Sequence, residues 1–171
     1  MKIADTIQDS IVDGPGLRFV VFTQGCDIRC VGCHNPDALD PEGGREISVL
    51  ELISQLYENP LTDGLTLSGG EPFMQALDCS KIAKAAKDKG LNVWVFTGNT
   101  FEDLLFRGET EDCVMALLKL TDVLVDGKYM QAQRTLSMKW RGSKNQRFVD
   151  VPKSLDTKKV VLWQPMEYNQ Y

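Results

Sequence analysis

The run LRFVVFT at residues 17–23 is rich in β-branched and aromatic side chains. Such a run predicts a buried β-strand. Shorter apolar runs later in the chain predict strands for the same reason, and they lie at residues 65–67, 93–96, 123–125, 148–151 and 160–163.

Helical patterns lie between these strands. Ser48 with Glu51 three residues later forms a capping box, and the apolar residues that follow fall on one face of a helix. Two more apolar stripes predict further helices. Their members are Cys79, Ile82, Ala83 and Ala86 in one stripe and Cys113, Val114, Leu117 and Leu118 in the other.

The alternation of strands and helices predicts parallel strand pairing with right-handed crossovers. A closed eight-stranded barrel typically needs about 250 residues, whereas this chain has 171. We therefore expect an α/β fold, an open partial (βα) barrel of about five or six mostly parallel strands, in a single domain spanning residues 1–171.

Composition excludes several classes of function. The formal net charge of −5 argues against non-specific nucleic-acid binding. No segment approaches the roughly 20 apolar residues that a membrane span requires. The single histidine, His34, argues against most zinc hydrolases and against Ser–His–Asp triads. We expect neither nucleic acid nor a membrane as a partner.

The cysteines indicate a metal site rather than a set of disulfides. There are five, an odd number, and three of them crowd into eight residues without an apolar signal-peptide core at the N-terminus. This usage fits a reducing compartment, so a cytoplasmic location is expected. Cys79 and Cys113 lie on apolar helical stripes, where free cysteines are usually packed core residues.

The segment GCDIRCVGC at residues 25–33 places Cys26, Cys30 and Cys33 at C-x3-C-x2-C spacing. One loop of this kind can wrap a single metal centre. Structural zinc wants four ligands, and His34 directly follows Cys33, where it is poorly placed to complete a tetrahedron. An electron-transfer four-iron cluster wants four thiolates. Three thiolates would leave one iron open to a ligand; a zinc site or an incomplete cluster scaffold is the alternative.

Other unusual segments also follow predicted strands. They are SGGEP at 68–72, TG at 97–98 and DGK at 126–128. Since parallel sheets carry their chemistry at the carboxyl ends of their strands, we expect these segments to lie near the cysteine loop. Gly69 and Gly70 lack a Cβ and would let a ligand approach the backbone. Each segment by itself would be an ordinary turn.

The cysteine loop and the glycine motif together resemble the radical S-adenosylmethionine superfamily. The resemblance implies that Cys26, Cys30 and Cys33 hold one [4Fe-4S] cluster and that S-adenosyl-L-methionine binds its open iron. It also implies reductive cleavage of S-adenosylmethionine to a 5′-deoxyadenosyl radical, which abstracts a hydrogen atom. No catalytic side-chain acid, base or nucleophile is expected.

The same resemblance implies which residues touch S-adenosylmethionine. The glycine motif would cradle its amino group, and Lys128 could pair with its carboxylate. Simple exposure beside the cluster is the alternative for His34, and a solvated turn is the alternative for Asp126 and Lys128. The cofactor-binding residues expected in this way are Gly32, Cys33, His34, Gly69, Gly70, Asp126 and Lys128.

Further segments resemble activating enzymes of glycyl-radical proteins. VDGPGLR at 12–18 is similar to a stretch that these activases share. The segments at 122–129 and 140–147, the second reading WRGSKNQR, resemble activating proteins of anaerobic (class III) ribonucleoside-triphosphate reductases. The resemblance implies hydrogen abstraction from one glycine α-carbon of that reductase, with an electron donor such as a flavodoxin or a ferredoxin.

Several alternatives stay open. The missing cysteines between Asn35 and Leu67 predict one cluster, but do not exclude an activase of pyruvate formate-lyase. A radical enzyme acting on a small molecule, such as a deazapurine synthase, is another candidate, although an incomplete barrel wall suits a loop of a large protein better. A single-cluster electron carrier would need a fourth protein ligand. The roles of the segment from Arg141 to Arg147 and of the tail after Asp150 stay undecided.

Overall fold

The computed structural model describes residues 1–164, in which seven strands form one open sheet. Residues 165–171, the end of the tail after Asp150, lie outside the described part. The order across the sheet is β3-β1-β2-β4-β5-β6-β7. The strands are β1 (Lys2–Ser10), β2 (Arg18–Thr23), β3 (Arg45–Glu46), β4 (Gly64–Gly69), β5 (Asn92–Phe96), β6 (Val123–Asp126) and β7 (Arg147–Asp150).

The described residues form five α-helices, four of them between strands and the fifth after the last strand. Ser48 caps the first one as predicted, since its side chain accepts from the backbone N–H of Glu51. The predicted stripes lie on the second and fourth helices, and no membrane-crossing helix occurs within residues 1–164. The helices are α1 (Val49–Glu58), α2 (Ala76–Asp88), α3 (Phe101–Arg107), α4 (Asp112–Leu120) and α5 (Val151–Thr157).

The pairing confirms an open, mostly parallel α/β sheet. Strands β2, β4, β5 and β6 pair in parallel. Strand β3 shares their direction, because both β3 and β2 run antiparallel to β1. Only β1 and β7 among the described strands run the other way. The carboxyl ends of β2, β4, β5 and β6 therefore meet at one edge of the sheet.

Three details differ from the sequence prediction. Strands β1 and β3 were not predicted, so the described sheet has seven strands rather than five or six. The strand predicted at 148–151 exists as β7 but is antiparallel to β6. The strand predicted at 160–163 is wrong, because Leu162 forms only an isolated bridge with Val149 at the sheet edge.

The two faces of the sheet are covered differently. The helices pack on one face over the large apolar core. The other face carries Trp94 with half-buried Trp140, Phe148 and Trp163. Arg18, the first residue of β2, is fully buried on this second face and donates to Thr66 Oγ1 at 2.6 Å and to the Leu65 carbonyl at 2.6 Å. Burial lowers the pKa of Arg18 to about 10.

Candidate functional site

A cavity of about 510 Å³ lies at the carboxyl ends of the parallel strands. The loop after β2 supplies one wall and the end of β4 supplies another. The structure thus brings together six residues that the sequence predicted for one site, as expected from the convergence of parallel strand ends. These residues are Cys26, Cys30, Cys33, His34, Gly69 and Gly70.

The three cysteines of this loop are free, half-buried thiols. The backbone of Cys26 is tied down, because its N–H donates to the Leu39 carbonyl at 3.1 Å. Burial raises the pKa of the Cys26 thiol, while backbone hydrogen bonds from Arg29 and Ile28 act in the opposite direction. The backbone N–H of Asn35 points at Cys33 Sγ, 3.4 Å away. Backbone donors directed at sulfur stabilise thiolate ligands.

The three thiols of this loop line one cavity. Within residues 1–164, no three His, Cys, Asp or Glu side chains are grouped closely enough to hold one metal ion. A four-iron cluster makes no such demand, because each thiolate binds a different iron. Three separate thiols around a cavity, held by one loop, therefore fit an iron–sulfur cluster.

The other two cysteines of the chain lie away from this loop. Cys79 is fully buried in α2, where burial raises the pKa of its thiol. Cys113 is half-buried on α4 and packs against the same core. The structure therefore places both where the sequence predicted them, among the packed core residues.

Neighbouring backbone leaves no room for a side chain at Gly69 or Gly70, so these glycines are needed for more than the approach of a ligand. Gly69 has φ of +96°, and a Cβ built on it would lie 2.5 Å from the Thr23 nitrogen. A Cβ on Gly70 would lie 2.2 Å from the Gly25 carbonyl oxygen. The N–H of Gly70 donates to Thr23 at 2.7 Å. The end of β4 thus presses directly on the segment that leads into Cys26.

Glu71 is a site residue that the sequence analysis did not single out, although it completes the glycine motif. Its carboxylate is 1% exposed, lines the cavity and accepts from the Thr97 hydroxyl at 2.9 Å. It also accepts from the backbone N–H groups of Phe73 and Gly98, each at 3.0 Å. Burial raises the pKa of Glu71 to about 7 despite these hydrogen bonds.

Thr97 and Gly98, which were expected near the cysteine loop but not among the cofactor-binding residues, also line the cavity. Thr97 is buried at the end of β5, and its hydroxyl contacts both oxygens of Glu71. Their position after a buried strand was the available signal. The pairing of Thr97 with Glu71 joins residues 26 positions apart, so local spacing could not reveal it.

Asp126 and Lys128 do not line the cavity, contrary to the expectation for them. Asp126 is 1% exposed and accepts from Arg147 Nε at 2.9 Å and from the N–H of Phe101, at the start of α3, at 2.9 Å. Lys128 is exposed. The pKa of Asp103 on α3 is lowered first by the Thr100 hydroxyl and also by the charge of Lys128. The Asp126 side chain is therefore directed at Arg147 and the start of α3 rather than into the cavity.

Gly32 and His34 flank Cys33 in different ways. Gly32 is exposed with φ of +72°, and a Cβ on it would lie 3.1 Å from Gln131 Cδ; it does not line the cavity. His34 does line the cavity, although it is exposed, and its ring lies 4.4 Å from that of Tyr129. Gly32 thus serves the turn before Cys33, and His34 faces the site.

The chain is similar to several known proteins. The family described as "4Fe-4S single cluster domain" matches residues 12–149. The pyruvate formate-lyase 1-activating enzyme of Escherichia coli K12 is 34% identical over 158 residues, which are 89% of this chain and 61% of that enzyme. The pyruvate formate-lyase-activating enzyme of Staphylococcus aureus USA300 is 32% identical over 161 residues, 89% of this chain and 62% of that enzyme.

The chain thus spans about three fifths of the length of the curated relatives that it matches. Among solved structures, the crystal structure of QueE from Escherichia coli aligns with a TM-score of 0.45 and 16% identity. That alignment covers 58% of this chain and 53% of the QueE chain.

Proposed function

The chain belongs to the 4Fe-4S single cluster domain family, and we propose that it is a radical S-adenosylmethionine enzyme that activates a glycyl-radical enzyme. In this proposal Cys26, Cys30 and Cys33 hold one [4Fe-4S] cluster, and S-adenosylmethionine occupies the adjacent cavity. The activity is assigned to one domain spanning residues 1–171, in the cytoplasm, with a flavodoxin or a ferredoxin as electron donor.

The observation that carries this proposal is the set of three cysteines at one cavity without a fourth. Cys79 and Cys113, the remaining cysteines of the chain, are held in the helical core. A three-cysteine site leaves one iron for an external ligand. When bound, the cluster would supply the electron that cleaves S-adenosylmethionine to a 5′-deoxyadenosyl radical.

The remaining residues of the cavity would bind and orient this ligand. The backbone of Gly69 and Gly70 forms the wall beside the cysteine loop, and His34 faces the same space. Apolar side chains, including Phe22, Ile28 and Phe96, line other parts of the cavity. Such walls limit the access of water to a reactive species. Asp126 and Lys128 have no direct role in this version of the site.

A protein loop is the substrate that fits the cavity mouth best. Val12 and Leu136 line the cavity but are 71% and 87% exposed, and Ile11 and Val31 are also largely exposed. Exposed apolar side chains grouped around an opening are typical of surfaces that bind another protein. The incomplete barrel leaves this opening accessible from the side.

Two glycyl-radical enzymes are candidate targets, each favoured by a different observation. The names of the two activating-enzyme relatives favour pyruvate formate-lyase. The WRGSKNQR segment at 140–147 favours an anaerobic ribonucleoside-triphosphate reductase, because it resembles the activating proteins of that class. The identity to pyruvate formate-lyase activases extends over 89% of the chain, whereas the resemblance to the reductase activases includes one segment of eight residues.

The test is anaerobic reconstitution of the cluster followed by reaction with S-adenosylmethionine, a reductant and each candidate protein. We expect 5′-deoxyadenosine and a glycyl radical seen by electron paramagnetic resonance with one of the two proteins. Cys30→Ala should abolish both products, while the matched variant Cys113→Ala, outside the loop, should retain them. Retention of both products by Cys30→Ala would refute the cluster assignment.

The same experiment separates the other candidates. A wild-type chain that binds a cluster but produces no 5′-deoxyadenosine is an electron carrier instead. Formation of 5′-deoxyadenosine that rises with a small molecule, without a glycyl radical on either protein, indicates a small-molecule substrate.

A further inference from the structure

The segment from Arg141 to Arg147 continues the pairing of β6 and β7 by means of side chains. The last backbone-paired residues of these strands are Asp126 and Arg147. Beyond this pair the chain turns away from the strand at Gly127, whose φ is +98°. The side chains of Ser143, Asn145 and Gln146 then bond the backbone of residues 127–130, while the backbone of Ser143 forms a bridge with Arg134. We call Ser143, Asn145, Gln146 and Arg147 the polar clamp.

Each member of the polar clamp bonds its counterpart across the pair. Arg147 Nε donates to Asp126 Oδ1 at 2.9 Å, and Gln146 Nε2 donates to the Gly127 carbonyl at 3.1 Å. The remaining two bonds follow the same register. Asn145 Nδ2 donates to the Lys128 carbonyl at 2.8 Å, and Ser143 Oγ accepts from the Met130 N–H at 3.1 Å.

Most polar atoms of the clamp bond within this chain, although Asn145 Oδ1 is buried without a hydrogen-bond partner among residues 1–164. Ser143 has no exposed surface. Gln146 uses its Oε1 to accept from the N–H groups of Gly142 at 2.8 Å and Ser143 at 3.2 Å, in addition to its bond to Gly127. Three of the four bonds to the facing segment end on its backbone, so they fix where residues 127–130 run.

The clamped segment in turn rests on the cysteine loop. The Tyr129 ring lies 4.4 Å from the ring of His34, the residue after Cys33. A Cβ built on Gly142 would lie 2.7 Å from His34 Cε1 and 3.1 Å from Tyr129 Cδ2, so the clamp loop closes on both rings. Gln131 packs against Gly32 on the other side of Cys33.

We propose that the polar clamp is a positioning element for the cysteine loop. By fixing residues 127–130 it holds Tyr129 and Gln131 against the residues on either side of Cys33, and thereby sets the position of that thiol. The inference rests on the proposed function in one respect, namely that Cys33 is a cluster ligand. Residues that orient metal ligands from outside typically change metal affinity by about 10–100-fold when mutated.

The test uses the 171-residue chain with its cluster reconstituted anaerobically. Gln146→Glu is nearly isosteric and still accepts from Gly142 and Ser143, but it places an oxygen against the Gly127 carbonyl. Tyr129→Ala removes the contact with His34, whereas Tyr129→Phe keeps the ring. We expect the first two variants to lose iron to a chelator about tenfold more readily than wild type, with an altered electron paramagnetic resonance spectrum of the reduced cluster, and Tyr129→Phe to match wild type.

Gln55→Glu on α1 is the matched control, since it makes the same charge change away from the cavity and is expected to match wild type. Thermal unfolding of each apo protein, with circular dichroism, establishes that it folds. Wild-type iron retention and an unchanged spectrum in Gln146→Glu and Tyr129→Ala would overturn the inference, even if their unfolding temperatures fell. A wild-type chain that takes up no cluster would overturn the proposed function instead.

Discussion

Gly70→Ala tests whether the glycine motif is required by the fold or only by a ligand. Gly70 does not have a positive φ, so the added methyl costs nothing in backbone conformation. Its Cβ would lie 2.2 Å from the Gly25 oxygen and 2.9 Å from the Ala38 oxygen, and both are backbone atoms. Relief requires the end of β4 to move away from the loop that leads into Cys26.

The size of the effect follows from what that movement breaks. It would lengthen the hydrogen bond from Gly70 to Thr23 and the one from Glu71 to Gly25, which measure 2.7 and 2.8 Å. Each bond contributes about 1 kcal/mol, and overpacking costs about 1–3 kcal/mol. We therefore expect Gly70→Ala to lower the free energy of unfolding by about 3 kcal/mol, or the unfolding temperature by about 6–12 °C.

Gly98→Ala is the matched control on the same cavity wall. Its Cβ would meet Ile28 Cδ1 at 2.5 Å, which is the end of a flexible side chain. Rotating that side chain costs about 1 kcal/mol. Urea unfolding of the apo proteins measures both. A Gly70→Ala protein within about 0.5 kcal/mol of wild type, or no less stable than Gly98→Ala, would refute the backbone explanation. Loss of S-adenosylmethionine binding in such a stable variant would then favour close approach by the ligand.

Three further predictions concern buried charges. The raised pKa of Glu71, about 7 in the folded chain, means that the folded state favours its protonated form. The free energy of unfolding should therefore fall as pH rises from about 4.5 to 7.5. Glu71→Gln should remove about 3 kcal/mol of that fall, as measured by urea unfolding at the two pH values. Parallel pH profiles for wild type and variant would contradict this. Arg18→Ala should lower the free energy of unfolding by about 3 kcal/mol, because it leaves buried acceptors unpaired. Arg134→Ala, at an exposed arginine, should stay within about 0.5 kcal/mol of wild type. Equal unfolding midpoints for the two variants would contradict this prediction. Asp126→Asn, at the buried partner of Arg147, should lower the free energy of unfolding by about 3 kcal/mol. Glu102→Gln, at the exposed partner, should lower it by less than about 1 kcal/mol. Thermal unfolding that shows the larger loss in Glu102→Gln would contradict this ranking.

The strands that could be predicted are those in the middle of the sheet. Strands β2, β4, β5 and β6 are covered on both faces, so most of their residues are apolar and buried. Strand β1 has only Ile3 and Ser10 buried, and its remaining residues alternate between half-buried and exposed. Strand β3 has two residues. Neither presents an apolar pattern, because β3 is the edge strand and β1 is flanked by it only at Lys2 and Ile3.

Short helices escaped prediction for a related reason. Helix α3 has seven residues, too few for an apolar stripe to repeat. Its one usable signal is local, the capping box between Thr100 and Asp103. The apolar run at 160–163 gave the opposite error. Its side chains contribute Trp163 to the aromatic face, so its hydrophobicity reflects packing rather than strand pairing.

For the candidate site, the sequence predicts where a residue lies but not where its side chain points. The parallel strand order brings the ends of β2, β4, β5 and β6 to one edge, and this was enough to place Cys26 and Gly70 together. It does not determine on which side of the edge a side chain falls. Asp126 is the last residue of β6, and its direction is set by Arg147 on β7, 21 positions away, and by the start of α3.

Residues 140–147 can be recognised from the sequence, but their role follows only from the structure. Their sequence marks them as unusual, but a loop that binds a partner and a loop that holds its own chain would have similar polar composition. The register with β6 distinguishes the two, because it pairs Arg147 with Asp126 and leaves Gln146 facing the Gly127 carbonyl. Gln146 uses both lone pairs of its Oε1 and one Nε2 donor inside the chain, which leaves it little to offer a partner. If this segment is shared by activases of one kind, the shared property would then be the geometry of the cysteine loop, and the choice of protein substrate would lie with the exposed apolar residues around the cavity mouth.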